Sequence, residues 1–530
     1  MLLGLPQILG ENHVEAGFAT VRGRHLFAFV RTLRYVGAVK RLMSFAPEAL
    51  ATILLALIAL KAALAVDLVY DSLSYHLPFA ARRAHLLSSW QFQRPPAAID
   101  PLTGYYDGFP ALADLAKGWA WRLTGWPEVV NLFGLASLLA FLAYVRFMWR
   151  VPFAWVAIGL LAVPAIQTAA AGNYVDIPAN IEFAIVLLSI CDLYIRPERF
   201  TRPGPWLILF AAAFAAAHTK LQSSVFVCLT MPFVLPPIFK LLGERRRDPL
   251  TLVKFGALYL AACLAIAGNL IKNLIRFGNP FYPLDTKIAG LHFPGPITDD
   301  AWLLPGRPYF GMPEFFQWLL SVLEYKALGG RETVYDNGMG NVPWDSPAAA
   351  MGGFFSALVV ASVAFFVVAV ARRRDRVSFV LAACLAITTL IVANFPNAHN
   401  LRYETFLMVV LITGCLLLTQ RDDLRDLALA YRIVLFSSLV FVVSVTGGIY
   451  FKPAYNPMQK WVADTGAEAI LRRVVKESGD VICLEQGPGK FDTRFTIVFS
   501  PAFHQELNRE IPYAVREGDC TGRKTISGWR

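Results

Sequence analysis

Apolar residues along this 530-residue chain come in long blocks. A helix that crosses the hydrocarbon layer of a membrane needs about 20 mostly apolar residues. About eleven stretches qualify, beginning near Pro47, Glu128, Pro152, Ile177, Pro205, Leu221, Leu250, Pro347, Ser378, Tyr403 and Arg432. The pattern predicts an all-α polytopic domain over 47–450, a basic segment over 1–46 and a more polar tail over 451–530. Within the tail, AEAILRRVVKES reads as helix and DVICLEQ and RFTIVFS as strands, a small α/β unit. Leu26, Phe29, Val30, Leu33 and Val36 share one helical face with arginines between them. That face suits an amphipathic helix on the inner leaflet, and an ordinary cytoplasmic extension fits as well. No internal repeat is evident, whereas transporters commonly show matched halves.

Composition agrees with the pattern. Hydrophobic residues make up 56% of the chain and charged ones 16%, against about 25% charged in a soluble domain. Disordered and soluble classes are both excluded. The net charge of +11 could suggest nucleic acid, but its distribution gives a different reading. Lys and Arg gather before the first span (Arg22, Arg24, Arg31, Arg34, Lys40, Arg41) and then in every second loop, through Arg146/Arg150, Arg196–Arg202, Lys240–Arg247, Arg372–Arg376 and Arg421/Arg425. Cytoplasmic loops carry such an excess. With eleven spans the N-terminus is cytoplasmic and the C-terminus extracytoplasmic, and outer loops fall at about 67–127 and 278–346. The start of the chain lacks a basic n-region followed by an apolar core, so the first span acts as the insertion signal. Cys483 and Cys520 lie in the outer tail, where a disulfide between them is an option beside two separate thiols.

Charged side chains at membrane depth are costly and usually functional. At the outer end of the first span, Asp67 and Asp71 stand four residues apart. The segment after them places Leu73, Leu77, Ala80, Ala84 and Leu87 at helical spacing, with Tyr75, His76, Arg82 and Arg83 among its polar positions, as in an amphipathic helix on the outer leaflet. At the third-to-fourth span junction, Asn173, Asp176 and Asn180 open to the same side. Either Asp71 or Asp176 could instead be a helix cap. After the span that begins near Leu250, Asn269, Lys272, Asn273 and Arg276 follow i, i+3, i+4, i+7, one polar stripe of two amides and two cations. Snorkelling could account for Arg276, not for the amides. Lys220 and Arg402 bring two more cations to the same level. Four cations opposite two carboxylates suggest a membrane-embedded phosphate beside a carboxylate base.

Four motifs carry a resemblance: YDSLSYHLP at Tyr70–Pro78, GNYVDIP at Gly172–Pro178, GNPFYPL at Gly278–Leu284 and NLRYETF at Asn400–Phe406. In order, spacing and topology the chain resembles the GT-C superfamily of integral membrane glycosyltransferases, in the bacterial branch of protein O-mannosyltransferases and aminoarabinose transferases. The resemblance implies a polyprenyl-phosphate sugar donor, a lipid, glycan or protein acceptor, inversion at the anomeric carbon, and a site on the outer face of the bacterial inner membrane. It assigns the catalytic base to Asp71, assistance to Asp176, and donor-phosphate contact to Arg402, with Tyr403 beside it. No cofactor is required by this reading. A divalent cation stays open, since only Asp71, Asp176 and Asp67 offer carboxylates where many relatives carry an adjacent acidic pair. A transporter or flippase for lipid-linked glycans, or an O-antigen ligase or polymerase, could use the same cations. A base at Asp71 separates the transferase from the flippase. Tyr105, Tyr106, Trp302, Tyr335 and Trp344 are candidate specificity residues of the outer loops.

Overall fold

The structure is a computed structural model that describes residues 37–67, 71–86, 92–93, 101–243, 248–288, 290–298, 312–323, 353–396, 398–464, 476, 481–484 and 514–517. The chain divides into an N-terminal unit, Met1–Ile53, and a main unit, Leu54–Arg530. Along the chain the helices are α1 (Gly37–Leu64), α2 (Leu77–Arg83), α3 (Pro101–Gly108), α4 (Leu112–Thr124), α5 (Leu132–Met148), α6 (Phe153–Leu161), α7 (Pro164–Ala170), α8 (Asp176–Ile195), α9 (Pro203–Thr219) and α10 (Leu221–Thr230). They continue with α11 (Leu235–Leu242), α12 (Pro249–Ile266), α13 (Gly268–Phe277), α14 (Glu314–Val322), α15 (Ser356–Arg373), α16 (Arg376–Ala393), α17 (Phe406–Leu418), α18 (Arg425–Val445) and α19 (Met458–Asp464). The strands are short: β1 (Phe92–Gln93), β2 (Leu284–Ile288), β3 (Leu291–Phe293), β4 (Ile297–Thr298), β5 (Val481–Leu484) and β6 (Ala514–Glu517).

Among the described residues, eight helical stretches are long and apolar enough to cross a membrane. They are Phe45–Leu64, Pro127–Met148, Asp176–Ile195, Leu221–Leu242, Pro249–Ile266, Ser356–Arg373, Arg376–Ala393 and Asp422–Val445. The pair α6–α7, bent by 98° where Val163 meets Pro164, makes a ninth if it counts as one span. Two of the expected spans are shorter. Helix α9 has 17 residues, and α17 has 13, every one buried. The chain is thus a multi-pass, all-α membrane protein in which the expected spans near Pro152, Pro205 and Tyr403 are broken or short.

Local chemistry sets the ends of these helices. Pro164, Pro203 and Pro249 occupy first-turn positions, where a missing N–H costs nothing. Asp248 accepts from the backbone N–H groups of Leu250 and Thr251, each at 3.1 Å, and Asp375 with Ser378 forms a capping box at the start of α16. Helix α8 is the centre of the bundle, 83% of its span buried, whereas the α12 span is 6% buried. Helix α12 turns Val253, Leu258 and Leu260 outward, as a lipid-facing helix must.

At the Asp71 end, the chain departs from a surface helix. Leu77, Phe79, Ala80 and Ala81 are all buried, because α2 packs tightly on α4. A Cβ at Gly118 would meet the Ala80 carbonyl oxygen at 2.0 Å, so only glycine permits this approach. The amphipathic pattern faces protein rather than the outer leaflet. Phe79, Tyr105 and Ile297 form a small core there, with Tyr75, Tyr106, Phe109 and Leu284 against it. Strands β3-β2-β4 lie beside it, β2 antiparallel to β3 and parallel to β4.

The start of the tail sits at this same end. Asn456 exchanges backbone hydrogen bonds with Leu64 and Val66, both 2.9 Å, and Glu128 accepts from the Met458 N–H at 2.5 Å. A parallel sheet of order β1-β6-β5 joins Phe92 of the first long loop to Val515 of the tail. The expected strand DVICLEQ is β5, with Cys483 in it. The expected RFTIVFS strand and AEAILRRVVKES helix, Cys520, the Leu26–Val36 face, Trp302, Tyr335 and Trp344 lie outside the described residues.

Candidate active site

Asp71 opens a single turn of π-helix, Ser72–His76, that leads into α2. Such wide turns are rare and are frequent at functional positions. Asp71 makes no capping hydrogen bond. Its Oδ2 accepts instead from Nη1 of Arg402, 2.9 Å away and 331 residues later in sequence. Arg402 sits on a 3₁₀ turn, Leu401–Glu404, just before α17. Its Nη2 donates to the Tyr403 hydroxyl at 3.2 Å, its face lies 5.0 Å from the Tyr403 ring and 5.2 Å from the Tyr174 ring, and its buried Nε finds no acceptor. Burial opposes the charge on Arg402, but Tyr403, Asp71 and Asp176 outweigh it and hold the guanidinium protonated. Burial, with Asp71 nearby, keeps the Tyr75 and Tyr174 phenols protonated as donors.

Asp176 is the first residue of α8 and is buried. It makes no capping bond of its own; the residue ahead of the helix is Val175. Its carboxylate pairs with Lys220, which stands at the break between α9 and α10. The Lys220 ammonium also lies 3.5 Å from the centre of the Tyr403 ring. Burial lowers Lys220 to about 8, partly offset by Asp176. Asn180 ties this pair to the other. Its amide donates to the Asp176 and Arg402 carbonyls at 2.7 and 3.0 Å, and its oxygen accepts from the Phe406 N–H at 3.0 Å. Asp67 works one level deeper. Its Oδ2 accepts from Ser72 at 2.5 Å and from the Asn173 N–H at 2.8 Å, joining the first loop to the Gly172–Asp176 turn. The carboxamide of Asn173 is buried with both polar atoms unpartnered.

Beneath these pairs lies a layer that the sequence reading omitted. Lys117 of α4 is fully buried and donates to the Asn173 carbonyl at 2.5 Å. Burial lowers it to about 8, with Asp114, Asp67 and Asp176 pulling the other way. His76 Nδ1 lies 3.2 Å from Asp114 Oδ1, both side chains buried. A signal existed in ADLAKGWAW, an i,i+3 charged pair followed by a glycine among Ala, Leu and Trp. Glu404 was missed too. It is buried, and burial raises its carboxyl well above the usual range.

The polar stripe of α13 has the predicted face but different partners. Asn269 and Asn273 both donate to the Gly108 carbonyl, at 3.2 and 2.9 Å, and Asn273 also reaches the Tyr282 carbonyl at 3.0 Å. These amides fasten the end of α3 to the GNPFYPL turn; a Cβ at Gly108 would meet the Tyr282 oxygen at 2.4 Å. Lys272 donates to the Asp107 carbonyl at 2.9 Å. Burial lowers Lys272 to about 8, helped by Arg83 and Arg276. Arg82 and Arg83 lie over the Tyr106 ring, at 4.1 and 4.4 Å. The four cations expected at one phosphate therefore fall into two groups. Lys220 and Arg402 stand with Asp71 and Asp176, whereas Lys272 and Arg276 stand with Arg83 and Asp107.

Among the described residues, no group of three or more His, Cys, Asp or Glu side chains is arranged to hold a metal ion. Asp71 and Asp176 are instead each engaged by a cation. In comparison with known proteins, no family model and no curated protein matches the chain. Two solved structures are similar in fold, both of ArnT from Cupriavidus metallidurans. The one bound to undecaprenyl phosphate is 14% identical, covers 89% of this chain and 85% of its own, and has a TM-score of 0.46. The one in the apo state is 14% identical, covers 90% and 86%, and has a TM-score of 0.45.

Proposed function

We propose that this protein is an inverting glycosyltransferase that moves a sugar from a polyprenyl-phosphate donor to a hydroxyl acceptor at the outer face of the membrane. The observation that carries the reading is the Asp71–Arg402 pair, in which a carboxylate at the end of the first span shares a guanidinium whose Nε has no acceptor. A phosphate competes with Asp71 for that guanidinium, because phosphate offers two or three oxygens to the fork. Donor arrival then leaves the Asp71 carboxylate free to act as base. Asp71 takes the proton of the acceptor hydroxyl, the hydroxyl oxygen bonds to the anomeric carbon, and the carbon–oxygen bond to phosphate breaks on the opposite side. Arg402 and Lys220 stabilise the negative charge that grows on the leaving phosphate. Asp176 holds Lys220 in place. No step is routed through a metal.

The alternating basic loops support an arrangement with the Asp71 end and the tail outside and the N-terminus inside, and the family resemblance supports a bacterial inner membrane. The acceptor, whether lipid, polysaccharide or protein, belongs to the cell envelope, and nucleic acid has no part. The test is transfer of radiolabelled sugar from polyprenyl phosphate into a lipid or polysaccharide fraction by purified enzyme in detergent. Asp71→Asn keeps the shape and removes the basicity, so transfer is lost while expression and donor binding persist. Full activity in Asp71→Asn sinks the mechanism and favours a flippase.

A further inference from the structure

Helix α14 buries polar side chains as deeply as its one fully buried apolar residue, Val322. Phe316 is 53% exposed and Leu323 just beyond it 46% exposed, whereas Gln317 and Ser321 are 5% and 0% exposed. Glu314, Gln317, Trp318 and Ser321 follow i, i+3, i+4, i+7 and so share one face. A helix that served only to fill a core would not bury unpaired polar side chains. This face packs toward α16 and the 3₁₀ turn that carries Arg402. There Glu404 meets it: the Trp318 indole N–H approaches the Glu404 carboxyl without an aligned hydrogen bond, and Glu314 and Lys220 are close enough to act on its charge.

Hydrogen-bonding capacity in this layer is unspent. Gln317 uses its amide nitrogen on the Met312 carbonyl at 2.7 Å, but its oxygen has no partner. The Ser321 hydroxyl, the Asn400 side-chain oxygen and one oxygen of Glu404 are also buried and unpartnered. Buried polar atoms are nearly always satisfied, so several orphans on two facing elements call for a ligand. The unspent atoms include two amide oxygens, of Gln317 and Asn400, and the Ser321 hydroxyl, while burial pushes the Glu404 carboxyl well above the usual range, toward its neutral, O–H-bearing form. A phosphate, which only accepts, does not suit them. Hydroxyl groups, which donate as well as accept, do. The position is equally telling, because Arg402 and Glu404 ride on one turn and whatever lies at Glu404 is next to the group held by Arg402.

We infer that the buried polar face of α14, closed by Asn400 and Glu404, is the subsite that reads the hydroxyl groups of the sugar carried by the donor. This rests on the proposed polyprenyl-phosphate glycosyl transfer. The sugar hydroxyls supply the donors that the Gln317 and Asn400 oxygens lack and accept from Ser321, Trp318 and the Glu404 carboxyl. Sites built to bond a hydroxyl reject analogues without it far more strongly than apolar pockets reject an extra methylene, so these residues set which sugar is transferred.

The experiment uses the full-length purified protein and a panel of probes: bare undecaprenyl phosphate, and undecaprenyl phosphate carrying a pentose, a hexose or a deoxyhexose. Gln317→Leu and Ser321→Ala each weaken binding of the sugar-linked donor that the wild type transfers by about tenfold, the scale of one lost hydrogen bond to a sugar hydroxyl. Both leave bare undecaprenyl phosphate within about twofold, which also shows that the variants are folded. Equal weakening for bare and sugar-linked lipid, no weakening at all, or a loss confined to the acceptor KM overturns the subsite. The underlying reading fails differently: bare undecaprenyl phosphate would then bind no more weakly to Arg402→Ala than to wild type, and the subsite would fall with it.

Discussion

Lys117→Met separates what holds this protein together from what makes it work. Methionine keeps the length of the side chain and removes the ammonium. In the fold, Lys117 is lowered from 10.5 to about 8, chiefly by burial. A difference of roughly 2.5 units corresponds to about 3 kcal/mol. The sign is fixed by linkage: the unfolded chain keeps this proton up to a higher pH, so stability rises with pH between about 8 and 10.5, and below 8 the buried charge is a cost. The attraction of Asp114, Asp67 and Asp176 is already contained in that figure. Methionine removes the cost but strands the Asn173 carbonyl, at about 1–3 kcal/mol. The two terms nearly cancel, so the melting temperature of Lys117→Met stays within a few degrees of wild type. Activity does not stay. The Asn173 carbonyl is held by Lys117 and its N–H by Asp67, and this turn leads directly into Asp176. Loss of one charge-assisted anchor, worth roughly 1.5–3 kcal/mol, lowers transfer by about 10- to 100-fold. Thermal unfolding and single-turnover transfer on the same preparation decide the matter. A drop of about 3–5 kcal/mol in stability, as for a broken buried ion pair, with full activity in the folded fraction would refute the reasoning.

Other expected outcomes follow from the same geometry. Arg402→Ala weakens binding of bare polyprenyl phosphate by about 10- to 100-fold, from the loss of a charge-assisted contact of roughly 1.5–3 kcal/mol; unchanged affinity in a lipid-binding titration counts against the phosphate assignment. Lys220 loses its proton as pH rises through about 8, so the donor KM of the wild type climbs above that pH, and Lys220→Met, already high, shows no such climb in a pH–KM profile. Gly118→Ala forces a Cβ against the Ala80 carbonyl and costs about 1–3 kcal/mol by overpacking; a melting temperature equal to wild type would show that α2 and α4 can part freely. Asp176→Asn frees Lys220 and lowers both donor affinity and turnover, less than Asp71→Asn lowers turnover, in the radiolabel assay; equal severity together with inhibition by chelator would point to a shared metal instead.

Much of the fold was legible because hydrocarbon sets the length of a spanning helix and composition records it. What the apolar pattern could not supply was direction. GLLAVPAIQ stays apolar through Pro164, yet the chain turns there by 98°, and a hydropathy count has no angle in it. Asp71, Asp176, Lys220 and Arg402 were visible because a charge at the end of a span is conspicuous. Lys117 and Asp114 were not, because in a loop helix a charged pair reads as solvated, and only the close contact at Gly118 buries it. The α13 stripe shows a further limit. Spacing gave the face shared by Asn269, Lys272, Asn273 and Arg276, but whether an amide meets a ligand or a backbone carbonyl depends on α3, 161 residues away from Asn269 at Gly108. The reverse occurred at α14, whose polar face was present in EFFQWLLSV and passed as part of a long outer loop.

The distance of 331 residues between the two members of the Asp71–Arg402 pair bears on how the protein is made. Insertion into a membrane proceeds from the N-terminus, so Asp71 follows the first span early and waits without its cation until nearly every later helix has been made. Asp176 finds Lys220 soon after, but the turn bearing Arg402, and with it the grip on Asp71, arrives only with α17. On the proposed mechanism, a ribosome-bound or truncated chain that stops short of that turn has the base and Lys220 but lacks Arg402, the second of the two phosphate-binding cations. The Asp71–Arg402 pair is therefore completed in one step, near the end of synthesis.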